Sequence, residues 1–203
     1  MRALLFISIL FACSKSKPPE VATIPAQQPA TEGHLSDSLY RIILADFTVK
    51  KTESYHRTRQ DILDTRESIR KKYALNDRID SSGMEVARQA VTQGLVRGLF
   101  PFWYGTPWDF DGYTDRPGEG VVACGYFVST TLKHCGFNVN RFTLAQQEPY
   151  HEALTLSLSD TIMTVLKPEG GMTRYFNEHD FADGLYFVGL DMHVGYVYRK
   201  DPN

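Results

Sequence analysis

Cysteine is scarce in this chain of 203 residues, with three, and tryptophan scarcer still, with two. So few thiols exclude a disulfide-stapled scaffold, and no paired Cys or His spacing of a zinc site occurs. Asp109, Asp111 and Asp115 crowd one segment, but no EF-hand spacing or closing glutamate follows, so they read as solvated turn carboxylates. The net charge is only −2 and no basic run is interleaved with aromatics, so nothing points to nucleic acid. No apolar run reaches the roughly 20 residues that cross a bilayer as a helix, and no internal repeat occurs. The pattern asks for neither a metal nor a cofactor. What remains is a chain large enough for one domain with a proper core and terminal additions.

The N-terminus carries the first positive signal. Arg2 precedes a short apolar run from Ala3 to Ala12, which reads as a secretory signal. Leu10-Phe11-Ala12-Cys13 ends that run and resembles a bacterial lipobox, in which the signal is cut before the cysteine and that cysteine bears lipid. Residues 1–12 are thus expected to be a lipoprotein signal peptide. Residues 13–33, polar and proline-bearing, are expected to be a lipidated Cys13 and a flexible tether. The expected location is the bacterial cell envelope, with the membrane as partner through the lipid anchor.

Residues 34–82 read as a helical N-terminal extension. Leu35, Leu39, Ile42, Ile43 and Phe47 follow helical spacing behind Ser36 or Asp37 as N-cap, and the charged stretch from Lys50 to Lys72 reads as a solvated helix with Ile62, Ile69 and Tyr73 as its apolar points. From residue 83 to 203 a second region follows. Met84, Ala87, Val91 and Leu95 form one helical face that is expected to end near Gly98. Then Thr106 to Gly118, rich in aromatics, glycine and proline, reads as a long loop lining a cleft, with Tyr104, Trp108 and Tyr113 as candidate substrate-binding residues. Shorter helices are expected near Leu144 to Leu154 and Ser159 to Leu166, with a turn at Lys167 to Gly171. His34, His56 and His151 read as surface residues.

Cys124, Phe127, Val128, Thr131, Leu132 and Cys135 recur at steps of three and four, with Gly136 as a stop, which predicts a helix starting at Cys124. In the first turn of a helix the unpaired N–H groups and the dipole favour a thiolate, the nucleophilic form of cysteine. Cys124 and Cys135 on one helix would stand about 16 Å apart at roughly 1.5 Å per residue, too far for a disulfide, so two free thiols are expected. Downstream, Leu185 to Leu190 and His193 to Arg199 read as strands separated by Asp191-Met192, and His193 begins the second. An imidazole fixed on a strand could take a thiol's proton and later protonate a leaving amine. Singly, each residue is more often structural; their joint placement makes Cys124 and His193 the candidate catalytic pair.

The segments Trp103-Tyr104-Gly105-Thr106-Pro107, Cys124-Gly125-Tyr126-Phe127-Val128, Asp183-Gly184-Leu185-Tyr186-Phe187 and His193-Val194-Gly195-Tyr196-Val197 resemble, in that order, those of the NlpC-type cell-wall peptidases, which are papain-like cysteine hydrolases. The resemblance covers roughly residues 84 to 199. It implies an α+β fold, with the nucleophile at the N-terminus of a helix packed on an antiparallel sheet and helices before it. It further implies cleavage of amide bonds in peptidoglycan stem peptides, with Cys124 as nucleophile and His193 as general base. The chain departs from the family's pattern at Ala123, where aspartate is usual, at Gly125, where serine is usual, and at Phe102 in place of a tyrosine, unless Tyr104 or Tyr113 takes that tyrosine's place. Asp183 also precedes the glycine instead of following it. For the third polar residue that orients the imidazole, Asp191, Asp109, Asp201 and Asn203 stand open. Two other readings compete: a non-catalytic lipoprotein that binds cell-wall peptide or glycan in the same cleft, and a papain-like amidase or acyltransferase acting on another substrate.

Overall fold

A computed structural model describes residues 4–8, 54–75, 78–157, 163–166, 171–179 and 181–200. The described residues form an α+β arrangement. Strands β1 (Leu4–Ser8), β4 (Met163–Leu166), β5 (Gly184–Gly189) and β6 (Val194–Arg199) make an antiparallel sheet in the order β4-β1-β5-β6. The strand β1 lies within the segment read as a signal peptide, between β4 and β5. The short strands β2 (Ala74–Leu75) and β3 (Arg78–Ile79) pair with each other. No described helix is long and apolar enough to cross a membrane. The expected helix from Leu35 to Phe47 and the tether lie outside the described residues.

Helix α1 (Tyr55–Tyr73) matches the solvated helix expected from its charge and buries no residue fully. Its few apolar side chains are nevertheless anchors. Ile62 packs where Gly94 and Gly98 leave room: a Cβ on Gly98 would meet the Ile62 side chain at 3.2 Å. Helix α2 (Ser81–Gln93) starts where the Asp80 carboxylate accepts a 2.7 Å bond from the Gly83 N–H, which satisfies one orphan donor of its first turn. It does not end near Gly98. It runs on through a wider π turn, Gly94–Leu99, into α3 (Phe100–Trp103), with Pro101 in the first turn of α3, where its missing N–H costs nothing.

Helix α4 (Cys124–His134) starts at the expected residue, and Gly136 takes φ +99° just past its end. The helix expected from Leu144 to Leu154 is instead two, α5 (Arg141–Ala145) and α6 (Pro149–Ser157). Asn140 caps the first by accepting from Phe142 N and Thr143 N, and Pro149 opens the second. Met163–Leu166, expected to be helical, is the strand β4, where β-branched Thr164 and Val165 fit the pleat better than a short helix. Helix α7 (Gly171–Glu178) begins where a turn was expected.

The sheet separates two apolar clusters. On one face Leu185, Phe187 and Val194 pack with Val128 and Leu132 of α4, Leu95 and Leu99 of the π turn, and Leu144, Ala153 and Leu156. On the other, Tyr186 and Val188 pack with Phe176. Strand alternation explains the division, since successive side chains point to opposite faces.

Candidate active site

The nucleophile candidate is positioned by the loop that precedes it. Val122 is clamped between two arms of that loop, donating to Pro107 O at 3.0 Å and accepting from Asp109 N at 3.3 Å, while Ala123 N donates to Gly112 O at 2.8 Å. Gly112 permits this approach, because a Cβ there would lie 2.6 Å from Val122 N. The chain therefore enters α4 at a fixed angle. Cys124 takes the first helical position behind Ala123, which is extended and offers no side-chain cap to the first-turn N–H groups. Cys124 is half-buried against the core, and neither it nor Cys135 is in a disulfide, as expected.

Gly125 has a physical reason for lacking a side chain. A Cβ at that position would lie 2.5 Å from Ala145 O, because the end of α5 presses against the first turn of α4. The serine usual in the resembling family has no room here. One residue further on, the Tyr126 hydroxyl accepts a 3.2 Å bond from Gln146 Nε2, which ties the same two elements.

The aromatic loop is exposed, as a cleft lining requires. Tyr104, Trp108 and Tyr113 are all solvent-facing, and Phe110 and Phe142 join them. Tyr113 sets its ring edge-on to Tyr126, which meets Phe142 in the same manner. Burial of part of Tyr104 raises its hydroxyl above the ordinary phenol value. Trp103, by contrast, is buried, so the two tryptophans divide between core and surface. Asp109, Asp111 and Asp115 are exposed, and Asp109 Oδ1 accepts from Asp111 N within a turn.

His193 does not begin β6; it immediately precedes it. Leu190 N donates to His193 O at 2.7 Å and closes the turn between the strands. Val194, Tyr196 and Tyr198 face the cluster that contains α4, and Val197 faces the opposite cluster with Leu190. Alternation carried back from Val197 puts the His193 position on the side of Leu190, away from α4. No hydrogen bond joins Cys124 to His193 among the described residues. The face of β6 that does reach α4 carries Tyr196, whose hydroxyl donates to Val128 O at 3.2 Å beside the Thr131 hydroxyl. Asp191 is half-buried in the turn; Asp201 and Asn203 lie outside the described residues, as does Cys13.

Sequence reasoning missed Tyr126, Arg141, Phe142 and Gln146, which pack beside Tyr113 of the aromatic loop. The available signal was an arginine beside Asn140, a good N-cap, and three residues before the apolar Leu144. Among the described residues no group of histidine, cysteine and carboxylates is arranged to hold a metal. The chain matches no family model, no curated protein and no solved structure.

Proposed function

We propose that the chain is a cysteine hydrolase of NlpC-type, papain-like organisation, cleaving amide bonds of peptidoglycan stem peptides in the bacterial envelope, and that its lipid anchoring through Cys13 follows a cut that removes β1 from the sheet. The observation that carries this reading is the placement of Cys124: half-buried, unbridged, first in a helix that no side chain caps, and preceded by a loop of exposed aromatics. The first-turn N–H groups there can hold the oxyanion. The thiolate attacks the amide carbonyl carbon, a thioester forms, the C–N bond breaks, and His193 returns the abstracted proton to the leaving amine. Water activated by the same imidazole then releases the acid and restores the thiol. This chemistry requires the turn carrying His193 to bring its imidazole to Cys124 when substrate is bound.

A second reading has its own observation. The alternation of β6 directs the His193 position away from α4, which favours a non-catalytic lipoprotein that uses the aromatic cleft to hold cell-wall peptide or glycan.

The experiment incubates the full chain with purified peptidoglycan fragments and follows products by mass spectrometry beside Cys124→Ala and His193→Ala. Products that vanish in both variants support the hydrolase, and their masses identify the bond cut. Binding of fragments without products from the folded wild type selects the second reading.

A further inference from the structure

Arg141 is 7 % exposed, a depth at which a charged group is normally neutralised. No described carboxylate pairs with it. Its Nε donates to Thr130 Oγ1 at 2.9 Å, and its Nη2 donates to Tyr113 O at 2.6 Å and Thr114 O at 3.0 Å. All three acceptors are neutral. The guanidinium lies over the rings of Tyr126, at 5.0 Å, and Phe142, at 4.8 Å. Two of its three nitrogens are thus fixed, and the third, Nη1, donates to no described residue. Nor is Nη1 sealed inside the protein: the buried side-chain atoms without partners are Arg59 Nε and the two Glu152 oxygens. A fixed guanidinium that no described carboxylate pairs therefore keeps one donor group, not fully sealed, beside Tyr113, Tyr126 and Phe142.

We infer that Arg141 is an anion-recognition site for a carboxylate of the substrate. The inference rests on the cleft proposed above and names the group that it reads. A carboxylate accepting from Nη1 would pair a buried charge that no described residue pairs, which is the situation in which a charge-assisted hydrogen bond contributes most.

The test uses full-length Cys124→Ala, so that turnover plays no part, and titrates it calorimetrically with N-acetyl-alanyl-alanine, with the carboxamide of the same dipeptide, and with inorganic phosphate. The expected result is at least tenfold tighter binding of the acid than of the carboxamide, lost on adding Arg141→Lys, which keeps the charge but not the planar fork. Equal binding of acid and carboxamide, or no binding of the acid, overturns the inference, and so does phosphate binding tighter than the acid. The comparison of acid with carboxamide stands even where the Arg141 variant fails to fold. Because none of these readings needs catalysis, failure here is separate from failure of the hydrolase reading.

Discussion

Tyr55 Oη and His134 Nδ1 lie 2.9 Å apart, joining the first residue of α1 to the last residue of α4 across 79 positions of sequence. Trp103 Nε1 donates to the same phenol oxygen at 3.0 Å. An indole nitrogen only donates, so the Tyr55 oxygen accepts from Trp103 and shares one further hydrogen bond with Nδ1 of His134. The three side chains link α3, α1 and α4. They hold the charged N-terminal helix against the helix that starts with Cys124.

This arrangement makes the fold acid-sensitive. Burial, reinforced by the charge of Arg59, lowers His134 to about 4 from an ordinary 6.5. The folded state disfavours the protonated ring, so the unfolded chain binds the extra proton first. Stability is fully present above pH 6.5, falls as the pH drops through the window from 6.5 to 4, and levels off below it, with a loss of about 3 kcal/mol. Urea midpoints measured across that window should decline in the wild type and lose this slope in His134→Gln. The same slope in both proteins would assign it elsewhere.

Glu152 imposes the opposite dependence at higher pH. It is wholly buried on α6, both carboxyl oxygens lack a partner among the described residues, and burial raises its value from 4.5 to about 8. Its neutral acid is the form that the core accepts, so its contribution is complete below pH 4.5 and is lost as the pH rises through 8. Glu152→Gln keeps the shape and removes the charge. Its unfolding midpoint should stay flatter than that of the wild type between pH 6 and 9 and exceed it at pH 9.

At Gly125 the close approach of α5 predicts a steric cost. A methyl group there would meet the backbone of Ala145 at 2.5 Å, and a carbonyl oxygen in a helix cannot swing aside as a side-chain tip can. Gly125→Ala should lower stability by about 1–3 kcal/mol in chemical denaturation, in the range of overpacked sites. A neutral substitution would mean that α4 and α5 separate freely.

How far the sequence was legible follows local chemistry. The start of α4 at Cys124 was readable because a long periodic stripe and a terminal glycine agree with the fold at each level. The exposed aromatic loop was readable from its glycines and prolines. The helix break at Gln146 to Glu148 was not, because periodicity carries across a short gap, and Pro149 signals a first turn as readily as an interruption. Met163–Leu166 was misread because four residues are too few to show a decisive period. The buried Arg141 and His134 were opaque for another reason: their partners, Thr130, Tyr113 and Tyr55, lie 11 to 79 residues away, and only the tertiary fold brings them into reach. The face of His193 was not legible, because it depends on which alternate residues of β6 turn toward α4, and only the tertiary packing of Val194, Tyr196 and Tyr198 settles that.

The two cysteines of α4 should separate cleanly by reactivity. Cys135 is 2 % exposed, and burial pushes its thiol up to about 12, so it stays protonated and out of reach in the folded protein. Cys124 is half-buried at the opposite end of the helix, beside the exposed loop. Iodoacetamide at pH 7.5 should therefore alkylate Cys124 in the native chain at least tenfold faster than Cys135, as peptide mapping by mass spectrometry reads directly. In urea the two should react at similar rates. Cys135→Ser should leave turnover of peptidoglycan fragments intact with some loss of stability, because its sulfur fills core volume. Preferential alkylation of Cys135 in the native state would mean that the end of α4 opens more readily than its start, and would remove the structural basis for assigning the nucleophile to Cys124.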